Sequence, residues 1–427
     1  MSDTNDNLLK DIRAYELPGL DLGGDLITPN YEGRSILNIP ASICQLLGAP
    51  TFGMRVLRPE ILEPLGKEKR RVILILMDAL ALHRFKQWLA SGELPVWERL
   101  LENGSLAAIT SISPSTTSAA ITTLWTGQPA ARHGVMGYEM WLKEYGMVAN
   151  MIQHKPFTFH GDVGSLSKAG FEPESFLPVP TLGAHLKAHG VETYAFQHYS
   201  IAHSGLSRSL MQGVDIHSFN TPADLWVSAR QLLEAKQKEK FYAWVYWSPV
   251  DTLSHIHGPD DERAAAEFIN FSQALERNFL SQLSAEARRD TLLLLAADHG
   301  QITTPKDSHY DLSNHEGLLR RLHIKPTGEN RLVYLHIRPG QTEAVREYIE
   351  RTWPNQFLML ESGYALNAGL FGPGEQHERI ADRMGDLLLI SMGNAYLWWS
   401  AQENPLLGRH GGLHEQEMLV PFLGANL

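Results

Sequence analysis

One cysteine, Cys44, in 427 residues excludes an intramolecular disulfide, so any metal site must draw on histidines and carboxylates. Its setting, Ile-Cys-Gln-Leu-Leu-Gly, is apolar and predicts a buried thiol. Long hydrophobic runs are missing as well. No stretch reaches transmembrane length, and no membrane association is expected. The N-terminus, Met-Ser-Asp-Thr-Asn-Asp-Asn, lacks the basic region and apolar core of a signal peptide, which predicts a cytosolic protein. The sequon at Asn103-Gly-Ser105 would matter only in a secreted one. An excess of basic charge is also absent. With 37 Lys and Arg against 48 Asp and Glu the net charge is −11, which argues against a nucleic-acid polymer or a membrane surface as partner. A small anionic substrate stays open, because bound metal ions supply local positive charge. Internal repeats and low-complexity tracts are lacking, and nothing in the sequence fixes an oligomeric state.

What is present is a soluble-protein composition, 43% hydrophobic and 20% charged, in a chain long enough for one large α/β domain or two ordinary ones. Residues 1–68 carry Pro and Gly at irregular spacing and predict an N-terminal arm packed over the main domain. The run Val72–Met77 predicts a first buried strand, after the basic rim Lys67–Arg71. Further apolar or β-rich runs follow at Leu106–Ile112, Val191–Phe196, Phe241–Trp247 and Leu292–Ala297. Helical patterns lie between them at Leu182–Ala188, Pro222–Ala235 and Ala264–Leu283. Strands alternating with helices predict a parallel sheet covered on both faces. The character changes after residue 301. Strand-like Arg331–Ile337, helix-like Glu343–Trp353, and the runs Asp386–Ile390 and Ala395–Trp399 predict a small α+β insertion over 302–400. Residues 69–301 and 401–427 then form one α/β domain.

Side chains with chemistry stand where the apolar runs stop, and ligands of open α/β sheets bind beyond the carboxyl ends of the strands. Asp78 ends the first strand, where a carboxylate is costly unless paired, metal-bound or used as a cap. Ser113-Pro-Ser-Thr-Thr117 precedes a helix-compatible run, forming an elbow that offers a hydroxyl for metal activation. Asp251 and His255 share a helical face at i, i+4, ahead of Gly258-Pro259, with His257 outside the pattern. Asp298-His299-Gly300 follows the leucine run. Near the end, His410 and His414 flank a pair of glycines, and either is a candidate ligand. The glycines would let the backbone approach a metal centre closely. Three carboxylates, three histidines and a hydroxyl at strand ends make the inventory of a two-metal phosphoryl-transfer site. The N/O donor set suits two divalent ions, Zn²⁺ first and Mn²⁺ as an alternative.

In order, the motifs Leu-Met-Asp78, Thr117…Thr126-Gly127…His133-Gly134, Asp251-x-x-x-His255-x-x-Gly-Pro259, Asp298-His299-Gly300 and His410-Gly-Gly resemble the alkaline phosphatase superfamily. They are most similar to its type I phosphodiesterase/nucleotide pyrophosphatase branch, over about residues 70–301 and 408–422. The resemblance implies a three-layer α/β/α sandwich with a mostly parallel central sheet. It implies one metal held by Asp78, Asp298, His299 and Thr117, and a second held by Asp251, His255 and His410. It further implies hydrolysis of a small-molecule phosphate ester, diester or pyrophosphate before monoester or phosphonate, through a phospho-enzyme formed on Thr117, with Thr116 and then Ser115 as the next candidates in the elbow. A relative that kept the metals without catalysis is the remaining alternative.

Two positions depart from that branch. Its nucleotide-cleaving members carry Lys directly before the nucleophile, where this chain has Thr116, and Asn three residues after it, where this chain has Ala120. Arg132 and Lys143 are candidate replacement phosphate donors. Aromatics for a stacking pocket are available at Tyr138–Trp141 and Trp398-Trp399. The Cys/Ser-x-Pro-x-Arg context of the sulfatases is missing at Cys44, and nothing matches the large insertion of the phosphoglycerate mutases.

Overall fold

The computed structural model describes residues 2–157 and 161–427. Its centre is a seven-stranded sheet in the order Gly104–Thr110, Leu419–Asn426, Thr291–Ala296, Arg71–Met77, Phe241–Trp247, Glu192–His198, Asp215–Phe219. The last five run parallel. Leu419–Asn426 is antiparallel to both of its neighbours. The leucine run explains why this sheet is central. Leu292 to Leu295 are fully buried, as are Val72 and Leu74 to Met77 beside them, which requires cover on both faces.

Helices supply that cover. Pro222–Ala235, Glu262–Asn278 and Pro95–Glu102 pack together on one side; Thr117–Thr126 packs with Ile39–Leu46, Leu182–Ala188 and Gly205–Leu210 on the other. Trp226 meets Phe271 across the first group at 5.4 Å, and Trp125 anchors the second on Trp244 of the sheet at 5.3 Å. The result is a three-layer α/β/α sandwich with a mostly parallel sheet. Cys44 is buried, and its thiol is pushed up to about 12 by that burial. No helix among the described residues is long and apolar enough to cross a membrane.

A second, antiparallel sheet has the order Phe357–Glu361, Leu387–Ser391, Leu332–Leu335, Thr327–Glu329, Glu139–Leu142, Met147–Asn150, Lys155–Pro156. Its alternation is visible residue by residue. Leu332, Tyr334, Leu388 and Ile390 join the main core, whereas Val333, Leu335, Leu387 and Leu389 build a separate small core with Trp353 and Leu397. The sheet therefore takes three strands from 139–156 and is not confined to 302–400. Those strands are short and mix aromatic with polar residues, so no apolar run announces them. The Ala395–Trp399 run is buried except at Trp398 but forms no strand beyond a single bridge from Trp398 to Asp311. Within the first 68 residues a helix spans Ser2–Arg13 and buries Leu8 and Ile12, a stripe too narrow to read as amphipathic. Arg331 and Glu417, both fully buried, form a two-pronged ion pair at 2.9 and 3.0 Å that fastens the second sheet to the segment after His410.

Candidate active site

Five chain segments converge at the carboxyl edge of the central sheet. Asp78 follows Met77 directly, and Asp298 lies two residues beyond Ala296. Asp251 and His255 sit on the helix Pro249–His257, which begins just after the strand Phe241–Trp247. Thr117 opens the helix Thr117–Thr126. His410 arrives from the Gly408–Arg409 bridge paired with Ile302–Thr303. Gly300 makes this convergence possible, because a Cβ there would meet the Gln416 carbonyl at 2.1 Å. Ala79 holds a left-handed φ of 61°, rare for a residue with a Cβ, and its N–H donates to Asp298 Oδ1 at 3.2 Å.

All three histidines are oriented in the same way. Nδ1 of His299 donates to the Gly300 carbonyl at 3.0 Å, that of His410 to the Ser115 carbonyl at 3.1 Å, and that of His255 to the Gly408 carbonyl at 2.8 Å. A carbonyl only accepts, so the proton of the neutral ring sits on Nδ1 and Nε2 is left as its acceptor. His299 Nε2 lies 3.5 Å from Asp78 Oδ1, 3.5 Å from Asp298 Oδ2 and 3.1 Å from the Thr117 hydroxyl, which donates to it. Asp251 Oδ1 lies 3.4 Å from His255 Nε2 and 3.8 Å from His410 Nε2. Two compact ligand triangles result, Asp78–Asp298–His299 and Asp251–His299–His410, with His299 common to both. His255 borders the second through Asp251, its ring 5.1 Å from that of His410.

The electrostatics match a cation site. Burial, then Asp251 and Asp298, raises the Asp78 pKa well above the usual carboxylate range, and burial also raises Asp298. Burial, with His299 and His255 nearby, holds His410 well below the usual imidazole range. Asp78 Oδ1 and Asp298 Oδ2 are buried without a hydrogen-bond partner. Among the described residues, none of the three carboxylates pairs with Lys or Arg. Unpaired buried carboxylates take up protons unless a metal neutralises them, so the donor set fits divalent ions.

The elbow hydroxyls have separate partners. Ser115 donates to the Gly412 carbonyl at 2.7 Å, the Thr116 hydroxyl lies beside Glu329 and favours its charged form, and Thr117 faces His299. Two cavities open from this point, of about 470 and 180 Å³, and Thr117 and Asp251 stand in the wall of both. The larger is lined by Tyr138, Glu139, Phe157, Glu329, Trp398 and Trp399. The smaller runs past Asp78 and Tyr246 to Ile121, Leu206, Ser207 and Met211.

A sequence model of the type I phosphodiesterase/nucleotide pyrophosphatase family matches residues 72–413. The chain belongs to this family. No curated protein matches it significantly. Among solved structures, phosphonoacetate hydrolase from Sinorhizobium meliloti, in complex with phosphonoformate, is similar at 18% identity with a TM-score of 0.60, covering 83% of this chain and 90% of that one. Murine ectonucleotide pyrophosphatase/phosphodiesterase 5 is similar at 17% identity and a TM-score of 0.58, covering 84% and 88%. An inactive threonine-to-alanine variant of the murine protein, in complex with AMP, matches at 16% identity and 0.57, covering 83% and 87%. These likenesses establish a shared fold. Family membership makes the chain a phosphoryl hydrolase within a metal-dependent superfamily.

Other expectations about the site change. Arg132 and Lys143 pair with Glu375 and Asp382 at 3.0 and 2.6 Å and line neither cavity, so they are surface ion pairs. His414 caps the Glu415–Met418 helix, its Nδ1 accepting from the Gln416 N–H, and His257 is exposed. The close approach at Gly411 (φ 105°) is to Glu329, where a Cβ would come within 2.4 Å. Trp141 lines neither cavity, while Tyr138, Trp398 and Trp399 line the larger. Tyr246, Gln301, Glu139 and Glu329 escaped notice in the sequence. Tyr246 donates its hydroxyl to Asp78 Oδ2, and the buried Gln301 donates its amide to Asp251 Oδ1. Gln301 had a signal, its place directly after Gly300; the two glutamates had none.

Proposed function

We propose that this chain is a metal-dependent phosphodiesterase. The observation that carries the reading is the pair of cavities meeting at Thr117 and Asp251, since a phosphodiester has two arms to place and a monoester one. Asp78, Asp298, His299 and Thr117 would hold one divalent ion, and Asp251, His255 and His410 the other, with His299 also within reach of the second, zinc before manganese. Ions held there would supply positive charge against the attacking, departing and non-bridging oxygens.

Thr117 acts as the nucleophile. Its Oγ1 bonds to phosphorus as the P–O bond of one arm breaks, and its proton ends on the departing alcohol. Water then takes the phosphoryl group from Thr117 and restores the hydroxyl. The inactive threonine-to-alanine variant of the murine relative fits such a role. Phosphonoacetate-type cleavage is disfavoured, because a carboxylate on the substrate would face Glu139 and Glu329 in the larger cavity. Nucleotides are disfavoured by Thr116 and Ala120 at the positions where nucleotide-cleaving members carry Lys and Asn.

Initial rates on bis-p-nitrophenyl phosphate and p-nitrophenyl phosphate, with zinc- and manganese-loaded protein, test the reading. A faster diester rate that disappears in Thr117→Ala is expected. A faster monoester rate would overturn it.

A further inference from the structure

The elbow before Thr117 carries hydroxyls that the proposed chemistry does not use. Ser111 and Ser115 are both fully buried, and neither stands in the wall of either cavity, so a substrate held there meets neither. Each hydroxyl points to a backbone carbonyl far away in the chain. Ser111 directly follows the strand Gly104–Thr110, and its Oγ donates to the carbonyl of Asp298. Ser115 bonds three consecutive residues. Its carbonyl accepts from His410 Nδ1 at 3.1 Å, its N–H donates to the Gly411 carbonyl at 3.3 Å, and its Oγ donates to the Gly412 carbonyl at 2.7 Å. The first two are backbone bonds that most residues could make at this position. Only the third depends on the serine side chain.

The segment after His410 has no side chain of its own to set its place. Gly411 and Gly412 offer only backbone, and a Cβ on Gly412 would come within 2.9 Å of Glu417 Oε2. The Gly412 N–H donates to Glu417 Oε1 at 2.9 Å, and its carbonyl takes the Ser115 hydroxyl. Gly412 is thus gripped from both sides, by the Arg331–Glu417 pair and by the elbow. Asp298 belongs to the first ligand triangle and His410 to the second. One serine at each end of the elbow therefore fastens it to one triangle.

We propose that Ser111 and Ser115 are positioning residues that hold the Thr117 hydroxyl in register with the two ligand groups. This inference rests on the reading of Thr117 as the nucleophile. A reacting atom displaced by about 1 Å loses roughly a hundredfold in rate, so two hydroxyls that touch no substrate still act on kcat.

The test replaces each serine by alanine in the metal-loaded full chain, with Ser272→Ala as the control. Ser272 is also buried, and its hydroxyl donates to the Phe268 carbonyl at 2.7 Å within the covering helix Glu262–Asn278. Each elbow variant should lose about ten- to a hundredfold in kcat on whichever p-nitrophenyl ester the wild type prefers, with KM within about twofold. Metal content should stay near wild type, and Ser272→Ala should lose stability alone. Ser115→Cys, which keeps a weaker donor, should fall between wild type and Ser115→Ala. Calorimetry gives a readout without turnover. Orthovanadate, which takes the five-coordinate shape of the transition state, should bind more weakly to both alanine variants while phosphate binding holds. Unchanged kcat and vanadate affinity, with Tm lowered as in Ser272→Ala, would make the two serines merely structural. A kcat loss matched by lost metal would also overturn the inference, because the bonds would then hold the ions and not the nucleophile. Activity that survives in Thr117→Ala would instead sink the nucleophile reading itself, and the inference with it.

Discussion

The imidazoles of His299 and His410 lie face to face, their centroids 3.8 Å apart and their planes 20° from parallel. Each is pinned through Nδ1 to a backbone carbonyl, so the stack fixes two Nε2 atoms toward two groups of carboxylates. His299 belongs to both ligand triangles, whereas His255 touches only the second. His299→Ala should therefore deplete total bound metal, and His255→Ala should deplete one equivalent at most. Metal content by plasma mass spectrometry after dialysis decides this. Equal depletion in the two variants would contradict the shared role of His299.

Thr117→Ala is expected to abolish turnover while metal content stays near wild type, because the three carboxylates and three histidines remain. Ser115 is engaged on the Gly412 carbonyl and Thr116 lies beside Glu329, so neither should take over. Burst kinetics and metal analysis on the variant check both halves. Near-normal activity would shift the nucleophile to Thr116.

Asp78, Asp298 and His299 were legible because they follow apolar runs that read as buried strands, whereas His410 follows no such run. Leu292–Leu295 fixes where Asp298 and His299 emerge, and Val72–Met77 does the same for Asp78. The second sheet was partly hidden. Glu139 and Glu329 meet the site through a long-range pairing, Gly328 opposite Glu139, and no local periodicity records which distant strands will pair. Tyr246 was masked for another reason. Phe241–Trp247 is aromatic nearly throughout, so the one ring whose hydroxyl reaches Asp78 looks like its neighbours. Arg132 and Lys143 show the converse: their charge suited a phosphate, but Glu375 and Asp382 had already claimed it.

Glu139 supplies a pH signature. Burial is the main cause that raises its carboxyl to about 8, with Glu329 adding to it and the Trp399 indole and Lys325 opposing. In the unfolded chain the group titrates near the ordinary value of roughly 4.3. The native state thus holds a proton that the unfolded state releases. The associated stability is full below the unfolded value and is lost as pH rises toward 8. Glu139→Gln keeps an acceptor for Trp399 and carries no charge, so it should escape this loss. The Tm of the variant should gain on that of wild type steadily between about pH 5 and 8. Parallel Tm curves across that range would show that Glu139 does not titrate there.

Tyr246 tests whether a residue that binds no metal sets the metal site. Its strand pairs with Arg71–Met77 in the register Leu76 opposite Tyr246, which brings the phenol hydroxyl to Asp78 Oδ2. Asp78 Oδ1 is then left facing His299 Nε2. In Tyr246→Phe the ring still fills its place, so packing survives and only the donor is lost. Asp78 can then rotate, and metal affinity should fall by about ten- to a hundredfold, as it does when outer hydrogen bonds to ligands are removed elsewhere. The metal-free protein should lose only about 1 kcal/mol of stability. A zinc competition titration against a chromogenic chelator, paired with urea melts of the metal-free protein, separates the two effects. Unchanged zinc affinity with a large loss of stability would make Tyr246 a structural residue whose bond to Asp78 is incidental.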